Sequence, residues 1–198
     1  GEKAWLVGQS LGGVVAQVIA ARHPEVVEGL VLSNTCSLAK NMGDEAYGHL
    51  KKMMESQKKS KKLLSVLPFS LFKRLMKWAV MKKKTDGFTP QEKAIMEELC
   101  SAMLELLTKP YEYHMIDFLC DAENYFGMTE QDFARWDDKV LLILSEDDIT
   151  FNQACKDALI AIMPNPTVVT NLTGGHLALM VRLERYAELV TEYIRERI

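Results

Sequence analysis

The six residues Gly8-Gln9-Ser10-Leu11-Gly12-Gly13 follow the short apolar run Ala4 to Val7 and precede Val14, Val15, Val18 and Ile19, whose spacing is that of an amphipathic helix. The stretch therefore reads as a strand, a turn carrying a serine, and a helix. Gly-x-Ser-x-Gly arises by chance in about one chain in fifteen of this length, so the strand-to-helix setting is what gives the motif weight. A serine projected from such a turn sits in strained backbone among crowded neighbours, and Gly8 and Gly12 are expected to relieve that crowding. At the head of the helix, Ser10 would lie beside free backbone N–H groups, with that of Leu11 the candidate donor to a developing oxyanion. The plainer alternative is a glycine-rich turn that only packs a helix on a sheet.

A serine hydroxyl becomes a nucleophile when a base takes its proton, and that base must be oriented. Of four histidines, His23 closes the first helix, His49 lies in a basic segment and His114 in a helix, all positions suited to surface or packing roles. His176 differs, because Thr173-Gly174-Gly175-His176 sits between the last strand-like run and the last helix. In an open parallel sheet, such a strand-exit loop shares an edge with the serine turn. Ser145-Glu146-Asp147-Asp148-Ile149-Thr150 follows another strand and offers three acids for the orienting role.

Composition bounds the reading. The chain has 198 residues, 48% hydrophobic and 26% charged, with a formal net charge of −3, as in an ordinary globular protein. That balance makes no case for nucleic acid, and no apolar run reaches the roughly 18 residues of a membrane span. Cys36, Cys100, Cys120 and Cys155 lack metal-ligand spacing, which favours reduced thiols in a cytoplasmic protein. Neither a metal nor an organic cofactor is implied.

Strand and helix alternate on both sides of a helical insert. Ala4 to Val7, Gly29 to Ser33, Val140 to Ser145 and Thr167 to Thr170 read as strands buried on both faces, separated by helices over Leu11 to His23, Asn152 to Met163 and Leu177 to Arg197. The pattern predicts a mostly parallel α/β sheet with helices on its two sides. Lys40 to Lys84 carries 13 Lys/Arg against 3 Asp/Glu, a net of +10, while the remainder nets −13. This contrast sets a helical module at 37–135 between core segments at 1–36 and 136–198. Within it, helices are expected over Asp44 to Lys58, over Leu63 to Lys84 with an interruption near Pro68, from the Thr89-Pro90-Gln91-Glu92 capping signature toward Leu107, and from Pro110 to about Phe126.

The order serine, acid, histidine, together with the quoted Gly8–Gly13 turn, Val31-Leu32-Ser33-Asn34, Val140-Leu141-Leu142-Ile143-Leu144-Ser145-Glu146-Asp147-Asp148 and Gly174-Gly175-His176, resembles the α/β-hydrolase superfamily. The resemblance is in particular to cap-bearing serine hydrolases of the esterase, haloperoxidase and proline-iminopeptidase type. The resemblance implies an α/β-hydrolase fold with the cap inserted after the second strand of this chain. It selects Asp148 among the three acids, and makes Ser10, Asp148 and His176 a catalytic triad acting on a small-molecule acyl substrate. Asn34 occupies the family's alternative acid position and cannot serve as acid. With Gln9, it is expected to contribute to substrate binding.

The resemblance also makes Ala4 to Val7 the fifth strand of an eight-stranded sheet. The expectation is a natural protein with a further ~70 to 90 residues, including a second oxyanion donor whose loss typically costs on the order of 100- to 1000-fold in turnover. The first strand would then offer an apolar edge suited to homodimer pairing. In the insert, Leu63, Leu64, Val66, Leu67, Phe69, Leu71, Phe72, Leu75, Met76, Trp78 and Val80 lie between Lys61-Lys62 and Lys82-Lys83-Lys84. They either close a lid while the lysines are solvated, or form a basic amphipathic surface making weak contact with anionic membranes. Rival functions are a non-catalytic ligand-binding or regulatory module and a cofactor-free perhydrolase or C–C bond hydrolase.

Overall fold

The structure, a computed structural model, describes residues 1–83 and 88–198. Lys84, the last residue of one expected helix and of the second lysine cluster, lies outside the described residues. The chain divides into two compact units, Gly1–His49 with Tyr125–Ile198, and Leu50–Asn124.

The first unit holds the sheet. Strands β1 (Ala4–Gln9), β2 (Val27–Ser33), β3 (Val140–Ile143) and β4 (Thr167–Val169) lie in that order, every neighbouring pair parallel. Helix α1 (Leu11–Arg22) connects β1 to β2, and α7 (Gln153–Ile162) connects β3 to β4. Side chains alternate between the two faces of the strands. Leu30, Leu32, Leu142 and Leu144 pack with Ala16 and Ala20 of α1 and Leu159 and Ile162 of α7. Val31, Leu141 and Ile143 face the other way, against Tyr186 and Tyr193 of the C-terminal helix. Full burial of each such side chain stabilises by about 1.5–3 kcal/mol, so the two central strands anchor the unit.

The outer strands depart from the expectation of burial on both faces. Val7 of β1 is 50% exposed and Val168 of β4 is 37% exposed, because each strand pairs on one side only among the described residues. Trp5 lies across Gly29, where a Cβ would come within 2.3 Å of the indole. Its ring meets Tyr193 edge-on at 5.9 Å.

The expected C-terminal helix is divided. A 3₁₀ turn at Gly175–Leu177 leads into α8 (Ala178–Val181), and α9 (Leu183–Arg195) follows Arg182, whose φ of −124° and ψ of 37° are not helical.

The second unit is helical, and α2 (Asp44–Val66) runs into it from the first. It contains α3 (Phe69–Lys83), α4 (Pro90–Leu106) and α5 (Lys109–Asp121). The break expected after Lys58 does not occur, since lysine, glutamine and serine are compatible with a helix there. It falls at Leu67-Pro68, where the ring disfavours helical geometry in the preceding residue. Thr89 opens α4 with a reciprocal cap, accepting from the Glu92 N–H at 3.3 Å while its own N–H donates to the Glu92 carboxylate at 2.8 Å. Leu64, Phe72 and Ile116 form the core of this unit, with Phe69, Met76, Tyr113 and Cys120 around them.

The unit boundaries differ from the expected module at 37–135. Ser37–His49 and Tyr125–Arg135 belong with the sheet, because backbone and side-chain bonds tie them there. The Leu38 carbonyl accepts from the N–H groups of Gly127 and Met128, and Gln17 of α1 donates to the Cys36 carbonyl at 2.8 Å while accepting from the Leu38 N–H. Phe133, which ends the short helix α6 (Glu130–Phe133), and Trp136 are buried in the sheet core. All four cysteines are free thiols. Burial pushes the Cys36 thiol up to about 12 and the Cys155 thiol up to about 11.

Candidate active site

β1 ends at Gln9, and Ser10 turns the chain into α1 with φ 52° and ψ −119°, a region that favours glycine. Hydrogen bonds hold that peptide on both sides. The Ser10 N–H donates to the Ser33 carbonyl at 3.0 Å, and the Ser10 carbonyl accepts from the Thr35 hydroxyl at 2.6 Å and from the N–H groups of Gly13 and Val14. The turn also needs a residue without a Cβ at Gly8, where the added carbon would lie 2.3 Å from the Gly12 carbonyl oxygen. Gly12 itself has open space, contrary to the expectation that it relieves crowding. The second tight position is Gly13, whose Cβ would meet Thr35 at 2.6 Å.

His176 stands between Ser10 and Asp148. Its Nε2 is 3.0 Å from Ser10 Oγ and its Nδ1 is 3.0 Å from Asp148 Oδ2. The Asp148 side chain is fully buried and that of His176 is 14% exposed. With Nδ1–H donating to the Asp148 carboxylate, Nε2 faces Ser10 Oγ as an acceptor. Asp148 Oδ1 accepts from the Thr150 N–H at 2.7 Å. Phe151 packs its ring against the imidazole, with centroids 5.5 Å apart. The Leu11 N–H heads α1 and, as at every helix start, has no acceptor within its own helix.

The other two acids are occupied elsewhere. Glu146 accepts from the Thr170 hydroxyl at 2.8 Å, and Asp147 accepts from the Gly174 N–H at 2.9 Å, tying the acid loop to the histidine loop. Gln9 donates to the His176 carbonyl at 2.6 Å. Asn34, at the end of β2, is 3% exposed. Its amide donates to Ser145 Oγ and to the Gly175 carbonyl, and its Oδ1 accepts from the Ser145 N–H at 2.8 Å. It joins the acid and histidine loops at the end of β2.

Lys156 went unnoticed in the sequence. It is 5% exposed, and its Nζ donates to the Ser145 carbonyl at 2.6 Å and to that of Glu146 at 3.4 Å, beneath the turn that presents Asp148. A lone lysine on a helix gives no such signal. His49, assigned a surface or packing role, places Nε2 2.8 Å from the Thr150 carbonyl. Among the described residues, no group of three or more His, Cys, Asp or Glu side chains converges as metal ligands would. A cavity of about 390 Å³ bounded by Ala39, Met128, Ala158 and Ile162 is lined by none of Ser10, Asp148 and His176.

Residues 1–63 match a family model described as the alpha/beta hydrolase fold. Among solved structures, the chain is similar to a protein assigned as a non-heme bromoperoxidase from Mycobacterium tuberculosis, at 19% identity and a TM-score of 0.69, with 98% of this chain and 68% of that one covered. An enol-lactonase from Burkholderia xenovorans gives 14% identity and a TM-score of 0.65 over 98% of this chain and 66% of that one. A thermophilic esterase from Thermogutta terrifontis gives 17% identity and a TM-score of 0.65 over 98% and 65%. The chain thus spans about two thirds of the length of these structures. No curated protein matches the sequence.

Proposed function

The chain has the α/β-hydrolase fold, and on that premise we propose that it is a serine hydrolase cleaving a small or medium ester, amide or thioester through an acyl-enzyme. The observation that carries the reading is the His176 ring, 3.0 Å from the Ser10 hydroxyl on one side and 3.0 Å from the Asp148 carboxylate on the other. Ester-cleaving structures such as the enol-lactonase and the esterase share this fold and favour the same chemistry.

In this mechanism His176 Nε2 takes the proton as Ser10 Oγ attacks the substrate carbonyl, and Asp148 stabilises the imidazolium. The oxyanion of the tetrahedral intermediate accepts from the Leu11 N–H. Collapse of the intermediate breaks the bond to the alcohol, amine or thiol, which leaves with the proton from His176. Water then attacks the acyl-serine with His176 again as base, releasing the acid and restoring the hydroxyl. The strained Ser10 backbone holds the nucleophile in place before substrate arrives. The four unpaired thiols support a reducing, cytoplasmic setting.

A fluorophosphonate probe tests the assignment. It should label the protein at Ser10, and Ser10→Ala should lose the label together with turnover of p-nitrophenyl esters. Undiminished labelling of that variant would overturn the role given to Ser10.

A further inference from the structure

We propose that the consecutive helices α2 and α3 dock onto an anionic lipid bilayer. Helix α3 has two apolar faces where a packing helix needs one. Phe69, Phe72 and Met76 turn into the core of the helical unit. At 100° per residue, Leu71, Leu75 and Trp78 fall on the opposite side, and they are 39%, 41% and 58% exposed. The last turn of α2 adds Leu63 at 41% and Val66 at 76%, just before the Leu67-Pro68 corner. Exposed apolar groups gathered on two consecutive helices mark an interaction surface.

Charge identifies the partner. Lys51, Lys52, Lys58, Lys59 and Lys62 are all exposed along one side of α2, and Arg74 and Lys82 flank the exposed apolar stripe of α3. Over residues 50–83 there are eleven Lys/Arg and one acid, Glu55, whereas residues 90–121 hold two Lys and seven Asp/Glu. An anionic surface would attract one helix pair and repel the other. Lys82 lies over the Trp78 ring with its Nζ 4.9 Å from the centroid. That pairing of an indole with a cation suits the headgroup level of a bilayer. Aliphatic side chains gain nothing from a phosphodiester backbone but are buried on entering a lipid interface, which favours a bilayer over a nucleic acid.

Binding can be read without turnover, so this inference stands apart from the hydrolase reading. The full chain is sedimented with vesicles of phosphatidylcholine and phosphatidylglycerol in equal parts, and with phosphatidylcholine alone, at about 50 mM and about 500 mM NaCl. Binding to the anionic vesicles at low salt is expected, weaker by about tenfold or more at high salt and on the neutral vesicles. The variant Leu71→Ser/Leu75→Ser/Trp78→Ser should lose about tenfold or more in binding with an unchanged circular dichroism spectrum. Should that variant fold poorly, Lys58→Gln/Lys59→Gln/Lys62→Gln, altered only at exposed positions, should also weaken binding and flatten its salt dependence.

Absence of binding to anionic vesicles at low salt overturns the proposal. So does a folded apolar variant that binds like the parent. Retention of a fluorescent RNA oligonucleotide by that variant, without vesicle binding by the parent, would assign the basic surface to nucleic acid.

Discussion

Gly12 and Gly13 stand side by side in the serine turn, yet only one of them is under steric pressure. A methyl group at Gly12 meets nothing within 4 Å, whereas at Gly13 it would press on Thr35, whose hydroxyl holds the Ser10 carbonyl. Gly12→Ala should therefore leave the melting temperature and probe labelling near those of the parent. Gly13→Ala should destabilise by about 1–3 kcal/mol, as overpacking does, and slow labelling as the Thr35 bond is displaced. Equal effects of the two substitutions would contradict this account. The sequence reading named Gly8 correctly and chose the wrong second glycine, because the motif marks where the turn lies but not that Thr35 reaches it from beyond β2. Ser10 and His176 were legible from their places at strand exits. Asp148 was selected by family resemblance, and burial separates it from Glu146 and Asp147, which are exposed. The loops that Asn34 ties together could not be read from the sequence, since its partners lie 111 and 141 residues away in the chain.

The elements show the same division between local and distant causes. All four strands were recovered from apolar runs, and the reciprocal cap of α4 from four residues. The interruption expected near Pro68 is the α2–α3 break, whereas the further gap expected between Lys58 and Leu63 does not occur, because nothing in that lysine-rich stretch disfavours a helix. What no local pattern could show is how α7 serves the acid loop through Lys156. The aliphatic stem is buried and the ammonium reaches the Ser145 and Glu146 carbonyls. Lys156→Met keeps the stem and removes the donors, leaving those carbonyls without this partner. It should cost about 1–3 kcal/mol in stability and lower kcat more than it raises KM, as the Ser145–Asp148 turn loosens. A variant with the parent's kcat would show that the turn holds itself.

For the molecule as a whole, the modest net charge conceals the separation between a basic pair of consecutive helices and an acidic remainder, and the buried thiols couple folding to pH. In the folded state the Cys36 thiol is pushed up to about 12 from an ordinary value of 9.0. Because its folded value is raised, the stabilisation linked to the neutral thiol is fully present below about pH 9 and is lost as pH rises toward 12. Thermal melts across that range should fall more steeply for the parent than for Cys36→Ala, and parallel curves would remove Cys36 as the cause.

The spacing of the candidate site along the chain has a consequence for when its groups can meet. Ser10 and His176 are separated by 166 residues, and the peptide of Ser10 is held by groups near its own end of the sequence. On a ribosome the nucleophilic turn can therefore be complete while the imidazole that would activate it has yet to be translated. On the proposed reading, the pair is complete only after β4 has joined the sheet and carried the histidine loop to the serine, so that reactivity would depend on contacts between distant parts of the chain.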